Sequence, residues 1–106
     1  MKLGIVGYGK LGKTIEKMAL ERGHTIVAKL TSKEGDFSDL SDADVCFECS
    51  EPLSVVTNIE KIALLKKNII VATTGWDEKI PYVESVVKHS GIGLLFSSNF
   101  SIGVYL

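Results

Sequence analysis

A glycine-rich loop set between an apolar run and an amphipathic stretch limits the possible folds of this chain more than any other feature. Leu3 to Val6 is apolar, Gly7-Tyr8-Gly9-Lys10-Leu11-Gly12 follows at once, and Leu11, Ile15, Met18 and Ala19 then recur at helical spacing. Lys13, Glu16, Lys17 and Glu21 take the opposite face, and Gly23 stops the helix. A Gly-x-Gly-x-x-Gly pattern alone is a weak signal, because glycine is common and the pattern short. Directly after a strand and opening a helix, each glycine has a physical purpose. Gly7 allows the tight turn, Gly9 lets backbone approach a pyrophosphate, and Gly12 lets helix and strand pack closely. The helix N-terminus offers unpaired N–H groups to an anion. The loop therefore points to a bound dinucleotide, the alternative being glycines that only shape a turn.

The rest of the chain repeats the alternation. Thr25 to Leu30 reads as a second strand, Thr31 to Asp42 as a long loop, and Asp44 to Cys49 as a third strand that runs into Ser50-Glu51-Pro52. Pro52 suits a helix entry; Val56, Ile59, Ile62 and Ala63 give the next apolar face, and Lys66 and Lys67 favour its C-terminal end. Ile69 to Ala72 is a continuous apolar run, the signature of a strand covered on both faces. Asp77 is placed to open a third helix, with Ile80, Val83, Val86 and Val87 at helical spacing and Gly91 as its stop, before a fifth strand at Ile92 to Phe96. Strand and helix in alternation predict an α/β, Rossmann-like, doubly wound parallel sheet in a three-layer α/β/α arrangement. The closing segment, Ser101 to Leu106, is apolar and carries no cap or charged tail. Residues 1–106 are thus expected to form a dinucleotide-binding domain, the first part of a longer two-domain protein, unless the segment docks on its own domain.

Composition excludes several classes. With 12 Lys+Arg against 13 Asp+Glu and no basic cluster, nucleic acid is not expected as a partner. The longest aliphatic runs, Ile62 to Leu65 and Ile69 to Ala72, fall far short of the roughly 18 to 20 residues that cross a bilayer. The N-terminus lacks the apolar segment of a signal peptide, so neither a membrane nor export is expected, and the cytoplasm is the expected location. Cys46 and Cys49 form a Cys-x-x-Cys, but an odd separation along a strand turns the side chains to opposite faces, away from any helix N-terminus that would activate a thiolate. Buried apolar thiols are the better reading. His24 and His89 lack zinc-finger spacing, so no metal site is expected.

Where a dinucleotide fold usually grips the ribose 2′-hydroxyl of NAD with an acidic residue at the end of the second strand, this chain has Lys29-Leu30-Thr31-Ser32-Lys33. Hydroxyls of Thr31 or Ser32 and the Lys33 ammonium could accept the 2′-phosphate of NADP. The alternative is that the lysines are solvated and that Glu34 or Asp36 serves NAD. The expected cofactor is NADPH or NADH, with NADPH favoured.

Three further segments sit at the C-terminal ends of predicted strands, where an open α/β sheet binds its ligand: Phe47-Glu48-Cys49-Ser50-Glu51-Pro52, Val71-Ala72-Thr73-Thr74-Gly75-Trp76, and Ser98-Asn99-Phe100-Ser101-Ile102-Gly103-Val104. Together they make the chain resemble the N-terminal nucleotide-binding domain of the dihydrodipicolinate reductases, enzymes of lysine and diaminopimelate biosynthesis. The resemblance implies that Gly7, Gly9, Lys10, Leu11 and Gly12 hold the pyrophosphate, and that Ser50 stands in the segment at the third strand's end that lines the cofactor crevice. It further implies that Ala72, Thr73 and Thr74 line the nicotinamide ribose and carboxamide, with Thr74 beside the substrate, and that Ser98, Asn99 and Phe100 meet the nicotinamide end. It implies hydride transfer from NAD(P)H to a small dicarboxylate, 4-hydroxy-tetrahydrodipicolinate, by a homo-oligomeric full-length enzyme. No residue of this chain matches that family's catalytic His-rich and Lys segment, so the chain alone is expected to bind cofactor without turnover. Departures are a shorter glycine loop, Cys49 in place of a common aromatic, and Thr31 in place of a common acid. Another two-domain dehydrogenase, such as an aspartate or homoserine dehydrogenase, and a stand-alone nucleotide-binding or sensing module are the competing readings.

Overall fold

The computed structural model describes residues 1–97 and 102–105. Apolar segments with successive buried residues become strands and the amphipathic stretches become helices, in the order β1 (Lys2–Val6), α1 (Lys10–Glu21), β2 (Thr25–Leu30), a 3-10 helix (Phe37–Asp42), β3 (Val45–Glu48), α2 (Val55–Leu64), β4 (Asn68–Val71), a 3-10 turn (Asp77–Lys79), α3 (Ile80–Ser90), β5 (Leu94–Ser97) and β6 (Ile102–Tyr105). They assemble one six-stranded sheet in the order β2-β1-β3-β4-β5-β6. β1 to β5 pair in parallel, as the alternation of strand and helix requires. β6 turns back and pairs antiparallel to β5, Leu94 opposite Tyr105. The order reverses at β1, where one crossover runs out to β2 and the next returns to β3; such a switch point opens a crevice beyond the strands' C-terminal ends.

The two faces of the sheet are unequally covered. α2 and α3 pack Val55, Ile59, Ile62, Val83 and Val87 on Val6, Cys46, Ile69, Val71, Leu94 and Phe96, the largest body of core. α1 lies on the other face, over β1 and β2. Beyond it Phe47 and Ile70 stay half-buried along an apolar groove of about 360 Å³ that Met18 and Ile15 also line, and Leu95, paired with Ile70 in the next strand, is 39% exposed. The continuous apolar run of β4 thus meets cover on one face and only part of it on the other.

Four expectations need correcting. Of the expected face of α1, Ala19 is buried and Ile15 half-buried, but Leu11 and Met18 are 44% and 47% exposed, and Gly12 is buried because α1 approaches β1 closely through it. The stretch from Thr31 to Asp42 is not all loop: Asp36 accepts from Ser38 N–H while Asp39 accepts from Asp36 N–H, and this capping box starts a 3-10 helix that buries Leu40 completely. In α2 the fully buried residue of the first turn is Val55, with Val56 half-buried; Pro52 lies in the turn before the helix. Asp77 does not cap α3, which begins three residues later with Pro81 in its first turn and ends at Gly91 with φ 73°.

Candidate functional site: the crevice at the switch point

The glycine loop owes its shape to backbone crowding. Gly7 has φ +94°, donates to Leu30 O at 2.8 Å, and would place a Cβ 2.6 Å from Cys49 O. A Cβ on Gly12 would lie 2.4 Å from Gly7 O. Both positions exclude a side chain for reasons internal to the fold. Gly9 differs. Its φ is −91°, and a Cβ there would meet nothing within 4 Å, so the chain's own packing does not require glycine at this position. The open space beside it is the crevice.

Gly9 is also the N-cap of α1, with no side-chain cap and no acidic residue in the first turn. The first-turn N–H groups lack the usual carboxylate or hydroxyl partner, and exposed Lys10 and Lys13 add positive charge at an end already positive from the helix dipole. That is an arrangement for an anion. Tyr8 stands between this wall and β2: its hydroxyl donates to Glu16, which pairs with Lys29 at 3.0 Å, and the Lys29 ammonium lies 4.9 Å from the Tyr8 ring centre. The Glu16 carboxyl is held below its usual range, first by the Tyr8 hydroxyl and then by Lys29. Lys29 is thereby engaged at the loop.

The crevice encloses about 580 Å³ and is lined by Gly7, Tyr8, Gly9, Thr31, Ser32, Gly35, Ser50, Glu51, Ser54 and Asn58 together with apolar Val6, Leu30, Phe37 and Cys49. Of the residues singled out in the sequence, Gly7, Gly9, Thr31, Ser32 and Ser50 therefore meet in one place. Thr31 Oγ1 accepts from Lys33 N–H at 3.2 Å and Glu34 N–H at 2.8 Å, which shapes the turn after β2 and leaves its hydroxyl proton to donate. Lys33 and Glu34 are exposed on that turn, outside the residues lining the crevice, and the Asp36 carboxylate is occupied in its capping box.

The wall formed by β3 and β4 is built from side chains. Glu48, wholly buried at the end of β3, was absent from the sequence-derived site, yet it gathers the groups around it. Its Oε1 accepts from Thr73 Oγ1 at 2.6 Å and from Ser50 N–H at 3.4 Å, and its Oε2 accepts from Ser50 Oγ and from Asn58 Nδ2 at 2.8 Å. Asn58 Nδ2 also donates to Ser50 Oγ at 3.1 Å. Thr73 is buried behind this wall, outside the crevice lining, while Ala72 is half-buried and Thr74 exposed at the β4 end. Trp76, buried, donates its indole N–H to Thr73 O at 2.7 Å and packs edge-on against Phe96 at 5.4 Å, fixing the turn that carries Thr73 and Thr74. The clue in the sequence to Glu48 is an acid inside an otherwise apolar strand, which needs buried partners. Ser98, Asn99 and Phe100 lie outside the described residues.

Both cysteines are free and buried, and burial pushes the Cys46 thiol up to about 11 and the Cys49 thiol to about 12. Neither is poised as a nucleophile. Among the described residues no cluster of His, Cys, Asp or Glu could hold a metal ion, and no helix is long and apolar enough to cross a membrane.

A parallel sheet with a glycine turn at its switch point, an uncapped helix end and a polar crevice between them defines a Rossmann-type domain of the kind found in dehydrogenases. Solved structures share that fold: pyrroline carboxylate reductase of Plasmodium falciparum with NADP bound (TM-score 0.68, 16% identity, 91% of this chain and 41% of that one). So does scyllo-inositol dehydrogenase of Lactobacillus casei with NAD(H) bound (TM-score 0.57, 21% identity, 94% and 36%). The particular family follows from sequence: residues 1–100 match the model of the dihydrodipicolinate reductase N-terminus, and the chain belongs to that family. It is 31% identical to the 4-hydroxy-tetrahydrodipicolinate reductase of Christiangramia forsetii over 98% of its own length and 44% of the relative's. The counterpart from Cutibacterium acnes is also 31% identical, over 100% and 44%. The chain thus spans less than half the length of these curated relatives.

Proposed function

We propose that this chain is the NAD(P)H-binding domain of a 4-hydroxy-tetrahydrodipicolinate reductase, and that the crevice beside Gly9 is its cofactor site. The observation that carries the reading is Gly9 itself: a glycine that the fold does not need, at the uncapped N-terminus of α1, facing open space. Backbone N–H groups of Gly9 to Gly12, with Lys10 nearby, hold the pyrophosphate. Thr31 and Ser32 meet the adenosine ribose. No carboxylate lines the crevice at the end of β2, Asp36 being engaged elsewhere, so a 2′-phosphate meets no repulsion there and Lys33 adds charge from the turn. This favours NADPH over NADH. Ser50, Ala72 and Thr74, at the β3 and β4 ends, are assigned to the nicotinamide end with Thr73 buried behind them, and Ser98, Asn99 and Phe100 are assigned to it by their sequence motif alone.

Bound here, the dinucleotide supplies the hydride that reduces a small dicarboxylate substrate; the domain supplies placement. Its residues anchor the phosphates, orient the ribose and amide, and leave exposed Thr74 on the side from which substrate approaches. The test is calorimetric titration with NADPH and then NADH. Saturable binding, tighter for NADPH, is expected; tighter NADH binding at moderate salt would refute the phosphate assignment, and silence from both would refute the site.

A further inference from the structure

The Glu48 network fixes which way hydroxyl protons point in the crevice. A carboxylate only accepts hydrogen bonds, and here four donors converge on one: Ser50 N–H, Ser50 Oγ–H, Asn58 Nδ2–H and Thr73 Oγ1–H. A hydroxyl has a single proton. Those of Ser50 and Thr73 are spent inward on Glu48, so Ser50 Oγ, which lines the crevice, can turn only a lone pair toward it, while Thr73, buried behind the wall, helps hold the Glu48 carboxylate in place. Asn58 Nδ2 carries two protons and makes two bonds, to Glu48 Oε2 and to Ser50 Oγ, so it too adds no outward donor. The crevice therefore has two ends of opposite hydrogen-bond polarity. The α1 wall offers N–H donors and lysines; the β3 and β4 wall offers acceptors backed by a buried acid.

We propose that Glu48 is a positioning residue that makes the β3 and β4 wall accept from the carboxamide N–H2 of the nicotinamide ring, and that this polarity sets which end of the dinucleotide lies where. The inference rests on the cofactor reading above and deepens it. Anionic phosphate oxygens, which need donors, are turned away from the wall and held at α1. An amide donor, which phosphates lack, is matched at the wall. Glu48→Gln is the direct probe: a carboxamide keeps one accepting oxygen but turns an N–H2 toward groups that also donate, so one hydroxyl must reverse and present its proton to the ligand.

The experiment measures affinities of the chain for NADP+ or NAD+, whichever it binds tighter, for the 3-acetylpyridine counterpart that carries methyl in place of N–H2, and for ADP. Wild type should bind the carboxamide form roughly three- to tenfold tighter than the acetyl form, the range of one net hydrogen bond. Glu48→Gln should bring that ratio to about one while leaving ADP affinity within about twofold, since ADP does not reach the wall. A wild-type ratio near one, or an undiminished ratio in a folded Glu48→Gln protein, overturns the proposal. An equal loss of ADP affinity also overturns it, by showing a merely structural role. Should Glu48→Gln fail to fold by circular dichroism, Ser50→Ala and Thr73→Val decide the matter: loss of the ratio in either supports the proposal, and retention in both refutes it. If wild type binds neither dinucleotide, the cofactor reading falls and this inference with it.

Discussion

The wall of the crevice at α1 is made of backbone, held by glycines whose neighbours leave no room for a side chain, whereas the wall at β3 and β4 is made of side chains gathered on a buried acid. The difference teaches where each tolerates change. A backbone wall fails sterically, and all at once. A side-chain wall fails by losing partners, and its chemistry can be altered before its shape is.

The largest effect is expected at Gly7, where alanine adds an overlap with Cys49 O to a positive φ: about 3 kcal/mol or more should be lost in urea unfolding, with Gly12→Ala close behind through Gly7 O. Next comes Glu48→Leu, which leaves Ser50, Asn58 and Thr73 donors to find new partners; a loss of about 2 to 4 kcal/mol is expected by the same measurement. If Glu48→Leu cost as much as Gly7→Ala and abolished folding, the contrast between the two walls would break. Trp76→Phe removes the indole bond to Thr73 O but keeps the ring against Phe96, so about 1 kcal/mol is expected, with loss of all indole emission.

A pH effect sharpens the picture of the core beneath both walls. Burial raises the Cys46 and Cys49 thiols to about 11 and about 12 from an ordinary value of 9.0. Below that ordinary value neither state loses the protons. Above it the unfolded chain ionises first, so stability should fall as pH rises from about 9 toward about 12, and a Cys46→Ser, Cys49→Ala protein should show less of that fall in thermal melts. The smallest effect on folding is expected at Gly9: alanine should change stability by no more than about 1 kcal/mol, yet weaken NADPH by about tenfold or more in calorimetry. Gly9→Ala destabilising as Gly7→Ala does would erase the distinction between glycines the fold needs and the one it leaves open.

Much of this was legible in advance, because period and punctuation are local. Apolar runs and helical spacing located the five parallel strands and the three α-helices, and Gly23 and Gly91, both with positive φ, stopped their helices as read. What escaped depends on neighbours distant in the chain. The 3-10 helix at Phe37–Asp42 was hidden in a polar stretch, since its cap is two aspartates and its anchor a single Leu40 buried by β1 and its surroundings. The exposure of Leu11 and Met18 follows from how closely Gly12 brings α1 to β1, which helical periodicity does not encode. Ser50 and Glu48 stand in the same strand-end segment, but the role of Glu48 was not legible there, because its partner Thr73 is 25 residues away.

The sequence by itself determined the alternation of strand and helix, the glycine turn at the end of β1 and the family to which the chain belongs, because each is written in residue order and spacing. Only the tertiary structure decided that Gly9 faces open space while its neighbouring glycines do not, and that one buried carboxylate joins β3, α2 and the segment after β4. Those are properties of atoms brought within a few ångströms by folding, and a pattern along one chain carries distance in sequence, not distance in space.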